Sequence, residues 1–153
     1  MVDRVRLDSS SRELRPVREA SQDCLKAHDL LDRHQATGGC YTVHALALEL
    51  KCSARRAAGL LDRWTSSRCI LLMPMAPEAL LPVYQLDLEK GAPRPAIQKV
   101  VDELADVFSD VELAEWFVTP NLWLADRTPA ELVSEDARAV LGAARADRFV
   151  ARG

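Results

Sequence analysis

Three arginines on one predicted helix are the residues best placed to do chemistry in this chain. In "SARRAAGLLDRWTSS", Arg55, Arg56 and Arg63 fall opposite an apolar face made of Ala57, Leu60, Leu61 and Trp64, at i, i+3, i+4 and i+7. A guanidinium carries a planar fork of donors that clamps a phosphate or reads the edge of a guanine. Gly59 lies on the same outer side as the arginines. A glycine in mid-helix costs about 0.8–1 kcal/mol relative to alanine, and close approach of the backbone to a duplex is one reason to keep it. The plain alternative is a solvated arginine face.

Other sets are weaker. Cys24, Cys40, Cys52 and Cys69 lie 16, 12 and 17 positions apart, and His28, His34 and His44 supply no close pair of ligands. Zinc sites are built on such pairs, so no metal is expected and the thiols read as reduced and mostly buried. Asp102, Glu103 and Asp106 form one acidic group, and Asp110, Glu112 and Glu115 another. Both lie on the polar side of amphipathic patterns and read as solvated faces. No nucleophile elbow, glycine-rich phosphate loop or HExxH is present. The chain is expected to be no enzyme and to need no cofactor.

The elements that would position the arginines follow from spacing. Residues 1–15 read as a mobile arm, and a helix is predicted from about Pro16 to Gln35, stopped by Gly38 and Gly39. "YTVHALALELK" predicts a helix capped by Thr42, and Ser53 caps the arginine helix. "CILLMPMAPEALLPVYQLDL" predicts a β-hairpin, its strands in the apolar runs 69–73 and 81–88, the second around Pro82–Leu86. A pair of buried helix turns is the alternative. Two helices, a tight break and a hairpin make a winged helix-turn-helix over 16–90, with the arginine helix as the reading element.

"EKGAPRP" is the most linker-like stretch. Beyond it, 95–153 reads as a small helical module. Pro95 opens a helix with Ile97, Val100, Val101, Leu104 and Phe108 in one stripe. Ser109 with Glu112, and Thr128 with Glu131 after which Pro129 opens the helix, are capping boxes. A last helix is predicted from near Glu135 to about Phe149. The fold class is thus mainly α with a small β-hairpin.

Net charge divides unevenly along the chain. Residues 1–68 carry 12 Lys/Arg against 9 Asp/Glu, and residues 69–153 carry 8 against 14. The front half therefore suits an anionic partner, with DNA the expected one. So weak a basic excess implies a homo-oligomer, a dimer doubling the phosphate contacts. No apolar run is long enough for a membrane span, and the polar N-terminus carries no secretory signal, so a cytoplasmic location is the default expectation.

The stretch "WFVTPNLWLADRTPAELV", followed by the amphipathic "EDARAVLGAARADRF", resembles the toxin-binding domain of Xre/ParS/MbcA-type antitoxins over Val111 to about Phe149. The shared features are a short helix, a Pro-Asn corner, a leucine and a "TP-x-E-L" helix start, in that order. Tyr41–Leu88 also looks like the DNA-binding segment of longer members. The resemblance implies an antitoxin that docks on a RES-type, NAD-consuming toxin through this module and represses its own promoter. Trp116, Pro120, Asn121, Leu124 and Pro129 match the recurring framework and read as structural. Trp123 is either core or an exposed interface anchor. Arg145, Arg148 and Arg152 could reach an anion-binding region of the toxin, or be solvated arginines at a helix C-terminus. The winged-type front departs from the compact helical one of better-known antitoxins. That leaves open a stand-alone regulator, or an adaptor whose module only oligomerises.

Overall fold

The computed structural model describes residues 17–153, with side chains from residue 25 onward; the arm expected at 1–15 lies outside the described residues. Helix α1 spans Val17–Gln35. It ends at Gly38 and Gly39, whose φ values of 100° and 79° suit glycine, and the Gly39 amide returns to the His34 carbonyl at 2.9 Å. Strand β1 is Cys40–Tyr41, α2 is Val43–Glu49 and α3 is Ala54–Ser66. Thr42 accepts the Ala45 amide at 3.1 Å and Ser53 accepts the Arg56 amide at 3.1 Å, so both helices start on the caps the sequence offers. Leu46 and Ala47 of α2 and Ala57 and Leu61 of α3 are buried together with Ile70, Leu81 and Leu86. Leu60 and Trp64, expected on the inner face, are only partly buried.

The predicted hairpin between 69–73 and Pro82–Leu86 does not form as a continuous ladder. Met73 and Leu80 make a single bridge, with amide bonds of 2.8 and 2.9 Å. The chain then turns away. Strand β2, Leu81–Pro82, pairs antiparallel with β1, Cys40 opposite Pro82 and Tyr41 opposite Leu81. Pro82 has no amide hydrogen to extend a ladder, and residues Val83–Gln85 wind into one 3-10 turn. The run 69–73 still needs partners for its buried backbone. Gln85 supplies them from its side chain: the Leu71 amide donates to Oε1 at 2.7 Å, and Nε2 donates to the Leu71 carbonyl at 2.8 Å. A carboxamide carries the same donor and acceptor as a peptide group, so one fully buried side chain stands in for a neighbouring strand.

The expected linker is also structured. Strands β3, Leu86–Asp87, and β4, Ala92–Pro93, form a tight hairpin that turns through Gly91 at φ 61°, and the Arg94 amide donates to the Gln85 carbonyl at 2.8 Å. Helix α4 follows at Pro95–Leu104, with Ile97, Val100, Val101 and Leu104 fully buried. Then come α5 (Asp110–Phe117), α6 (Pro129–Leu132) and α7 (Ala137–Arg152). Both capping boxes are formed reciprocally, and Pro129 stands in the first turn of α6. Small residues Ala143 and Ala144, with Val140, let α7 lie against α4. Leu71 and Tyr84, from the stretch assigned to the front half, are buried in this same core. The described chain is mainly helical, with seven α-helices and two short antiparallel strand pairs. No helix among the described residues is long and apolar enough to cross a membrane.

Candidate functional site

The outer face of α3 presents Arg55, Arg56, Gly59 and Arg63 to solvent, as its spacing predicts. These arginines make no ion pair with a described residue. A Cβ placed on Gly59 would meet nothing within 4 Å, so no internal contact requires the glycine. The loop beyond the Met73–Leu80 bridge, residues 74–79, holds no Lys or Arg and includes Glu78. That loop therefore offers no side-chain cation, whereas α3 offers three on its outer face.

A second centre is a single carboxylate. Asp147 of α7 accepts three side-chain donors: Trp116 Nε1 at 2.7 Å and Asn121 Nδ2 at 2.8 Å on Oδ2, and Trp123 Nε1 at 3.0 Å on Oδ1. Asn121 organises the corner that carries two of them. Its Oδ1 accepts the Trp123 amide at 2.9 Å, its carbonyl accepts the Leu124 and Asp126 amides at 3.0 Å each, and its own amide donates to Arg127 at 3.1 Å. Ala125 and Asp126 adopt left-handed φ of 53° and 62° to complete the turn. Asn121, Leu124 and Pro129 are buried, Trp116 is half-buried and Pro120 is exposed. Asp147 is the residue that sequence reasoning missed. Its signal was the need of three indole and amide N–H groups for an acceptor, which spacing along one helix does not reveal.

Trp123 lies outside the core. It is 60% exposed, beside Leu122 at 87%, and Phe149 and Val150 farther along α7 are 80% and 66% exposed. A shallow crevice runs among Trp116, Pro120, Leu122 and Trp123 with Asp147 in its wall. Of the two readings of Trp123, exposure favours the interface anchor.

Arg145, Arg148 and Arg152 point back to the end of α4 and the turn that follows it. Arg148 Nη1 donates to Glu103 at 3.0 Å and its Nη2 to Asp106 at 3.2 Å; Arg152 also bonds Asp106, and Arg145 Nε lies 3.7 Å from Glu103. The acidic group expected as a solvated face is, at Glu103 and Asp106, the counter-charge for these arginines. Partial burial pushes Asp106 upward, but the bonds from Arg152 and Arg148 outweigh it and hold its carboxyl below the usual range. The hydrogen bonds that Arg148 donates to Glu103 and Asp106 raise Arg148 in turn.

A buried polar group joins α1 to the body. His34 is fully buried, its Nδ1 2.7 Å from the Leu30 carbonyl, with its ring 5.9 Å from Tyr84. Its Nε2 and the Tyr84 hydroxyl have no hydrogen-bond partner among the described residues. Burial lowers His34, the Leu30 bond opposes this, and Arg33 lowers it further. Burial also raises Tyr84, and pushes the Cys40 thiol up to about 11, so Cys40 is a protonated thiol at neutral pH. Cys40, Cys52 and Cys69 are unbridged, and no group of three potential metal ligands occurs among the described residues.

No protein family, curated protein or solved structure matches this chain.

Proposed function

We propose that this chain is a non-enzymatic, antitoxin-like DNA-binding regulator. In this reading α3 enters a major groove as part of a homodimer and places Arg55, Arg56 and Arg63 against phosphates and guanine edges. The observation that carries it is the α3 outer face: three arginines without an ion pair among the described residues, flanking a glycine that no internal contact requires, on a helix locked by its cap and by Ala57 and Leu61. The module of α5–α7 docks a RES-type toxin through Trp123 and Leu122. Arg148 and Arg152 act mainly in holding α7 on α4, so Arg145 is the arginine best placed to add a contact with the toxin.

The test is binding to DNA from upstream of the protein's own coding region, in a salt series, with Arg55→Ala plus Arg56→Ala beside the native chain. Native binding should weaken steeply with salt, since each phosphate contact releases counterions. The double variant should lose sequence-selective binding while unfolding at the same midpoint. Undiminished binding by that variant rules out α3 as the reading helix.

One observation favours a second reading. The 74–79 loop offers no cation and one carboxylate where a DNA-binding wing would offer a positive charge. A protein-binding adaptor accounts for that loop, and it predicts no DNA binding at any salt concentration.

A further inference from the structure

A cleft of about 460 Å³ opens where β3, α4 and the start of α7 meet. Three cations line it: Arg94, which precedes α4; Lys99, further along α4; and Arg138, the second residue of α7. None of them forms an ion pair with a described residue. Ala96, Val133 and Leu141 supply apolar lining. One carboxylate, Asp87, also lines the cleft, but Lys90 engages it, with Nζ at 3.7 Å and an amide bond of 3.2 Å. The neighbouring cleft differs: its Arg127 is held by Glu135 at 3.1 Å.

Like charges gathered around a depression repel each other and concentrate a positive potential there. Arg94 donates through Nε to the Tyr84 carbonyl at 3.2 Å, but no ion pair among the described residues offsets that repulsion. No side chain caps the first turn of α4, so the positive end of its dipole adds to the same field. The volume falls in the range of small-molecule sites, and an apolar lining with a few convergent polar groups is their usual composition.

We propose that this cleft binds a small amphiphilic anion. Its carboxylate or phosphate head is held by Arg94, Lys99 and Arg138, and its short apolar body lies on Ala96, Val133 and Leu141. The inference does not depend on the DNA or toxin readings.

The test is titration calorimetry of the full-length protein with octanoate and octyl phosphate, beside inorganic phosphate and octanol. Each anionic amphiphile should saturate one site per chain and raise the thermal midpoint, as any ligand of the folded state must. Inorganic phosphate and octanol each lack half of the recognition and should bind about tenfold or more weakly. The tighter of the two amphiphiles identifies the preferred head group. Lys99→Gln with Arg138→Gln changes only exposed side chains, so the unfolding midpoint should hold while both amphiphiles weaken by about tenfold. The proposal is overturned by a lack of saturable binding of either amphiphile, by unchanged affinity in the double variant, or by inorganic phosphate binding as tightly as octyl phosphate.

Discussion

Trp116 and Asp147, 31 positions apart in sequence, are joined by a 2.7 Å hydrogen bond from the indole Nε1 to the carboxylate Oδ2. The same carboxylate holds Asn121 and Trp123, so one charge on α7 fixes α5 and the corner after it. The stretch 116–133 is therefore pinned from outside as well as by its own prolines and caps.

Removing that charge should loosen the corner. Asp147→Ala should cost about 1–3 kcal/mol, the range for hydrogen bonds to a charged group in a partly exposed setting. Asp147→Asn should cost less, because its one oxygen can still serve Trp116 and Asn121 while the exposed Trp123 turns to water. Urea unfolding curves of the two variants check the order, and equal costs would remove Asp147 as the anchor.

Gln85 offers a sharper test. Gln85→Ala leaves the Leu71 amide and carbonyl buried without partners, at about 1–3 kcal/mol for each. Gln85→Glu keeps the acceptor but supplies the donor only when protonated, through its O–H, so its deficit in denaturant midpoint against the native chain should be large at neutral pH and shrink as the buried side chain becomes neutral in acid.

Stability should also fall in mild acid because of His34. The folded chain holds His34 neutral with a lowered pKa, so the unfolded chain binds more protons once pH drops below about 6.5. The loss begins there and continues downward until the folded histidine also protonates. The carboxyls of Asp106, Glu112 and Glu135, lowered in the folded state, lose their contribution only at more acid pH, below their ordinary range. His34→Leu should flatten the first window and leave the second. Midpoints measured from neutral pH down to about pH 3 cover both windows and decide it.

The arginines of α7 should separate by role. Arg148→Ala should lower the unfolding midpoint, and high salt should shrink the difference. Arg145→Ala, whose partner lies at 3.7 Å, should change it less. Trp123→Ala should leave the midpoint nearly unchanged and abolish capture of a toxin partner. Retained capture would move the docking face elsewhere.

Helix starts were the most legible part of the chain. Thr42, Ser53, Ser109 and Thr128 each cap the helix that their local sequence announces, because a cap is a contact over three residues. The apolar stripe of α4 was equally readable from its period. The strands were not. Pairing of 81–82 with 40–41 joins residues about forty positions apart, and nothing in either dipeptide specifies the other. Gln85 was invisible for the same reason: a glutamine in an apolar run gives no hint that its amide replaces a strand. At the candidate sites, the outward face of α3 followed from helical period alone. Asp147 and the pairing of Arg148 with Glu103 and Asp106 required knowing that α7 lies on α4 and the corner.

The burial of Leu71 and Tyr84 among the C-terminal helices has a consequence for how such a chain can be recombined. A cut at the 87–92 turn would leave a raw apolar patch on the helical piece and an unfilled pocket beside it. Grafting this module onto a different N-terminal half would require residues 71–94 to travel with it. The seam packs as part of the helical core, and the two halves are not beads on a string.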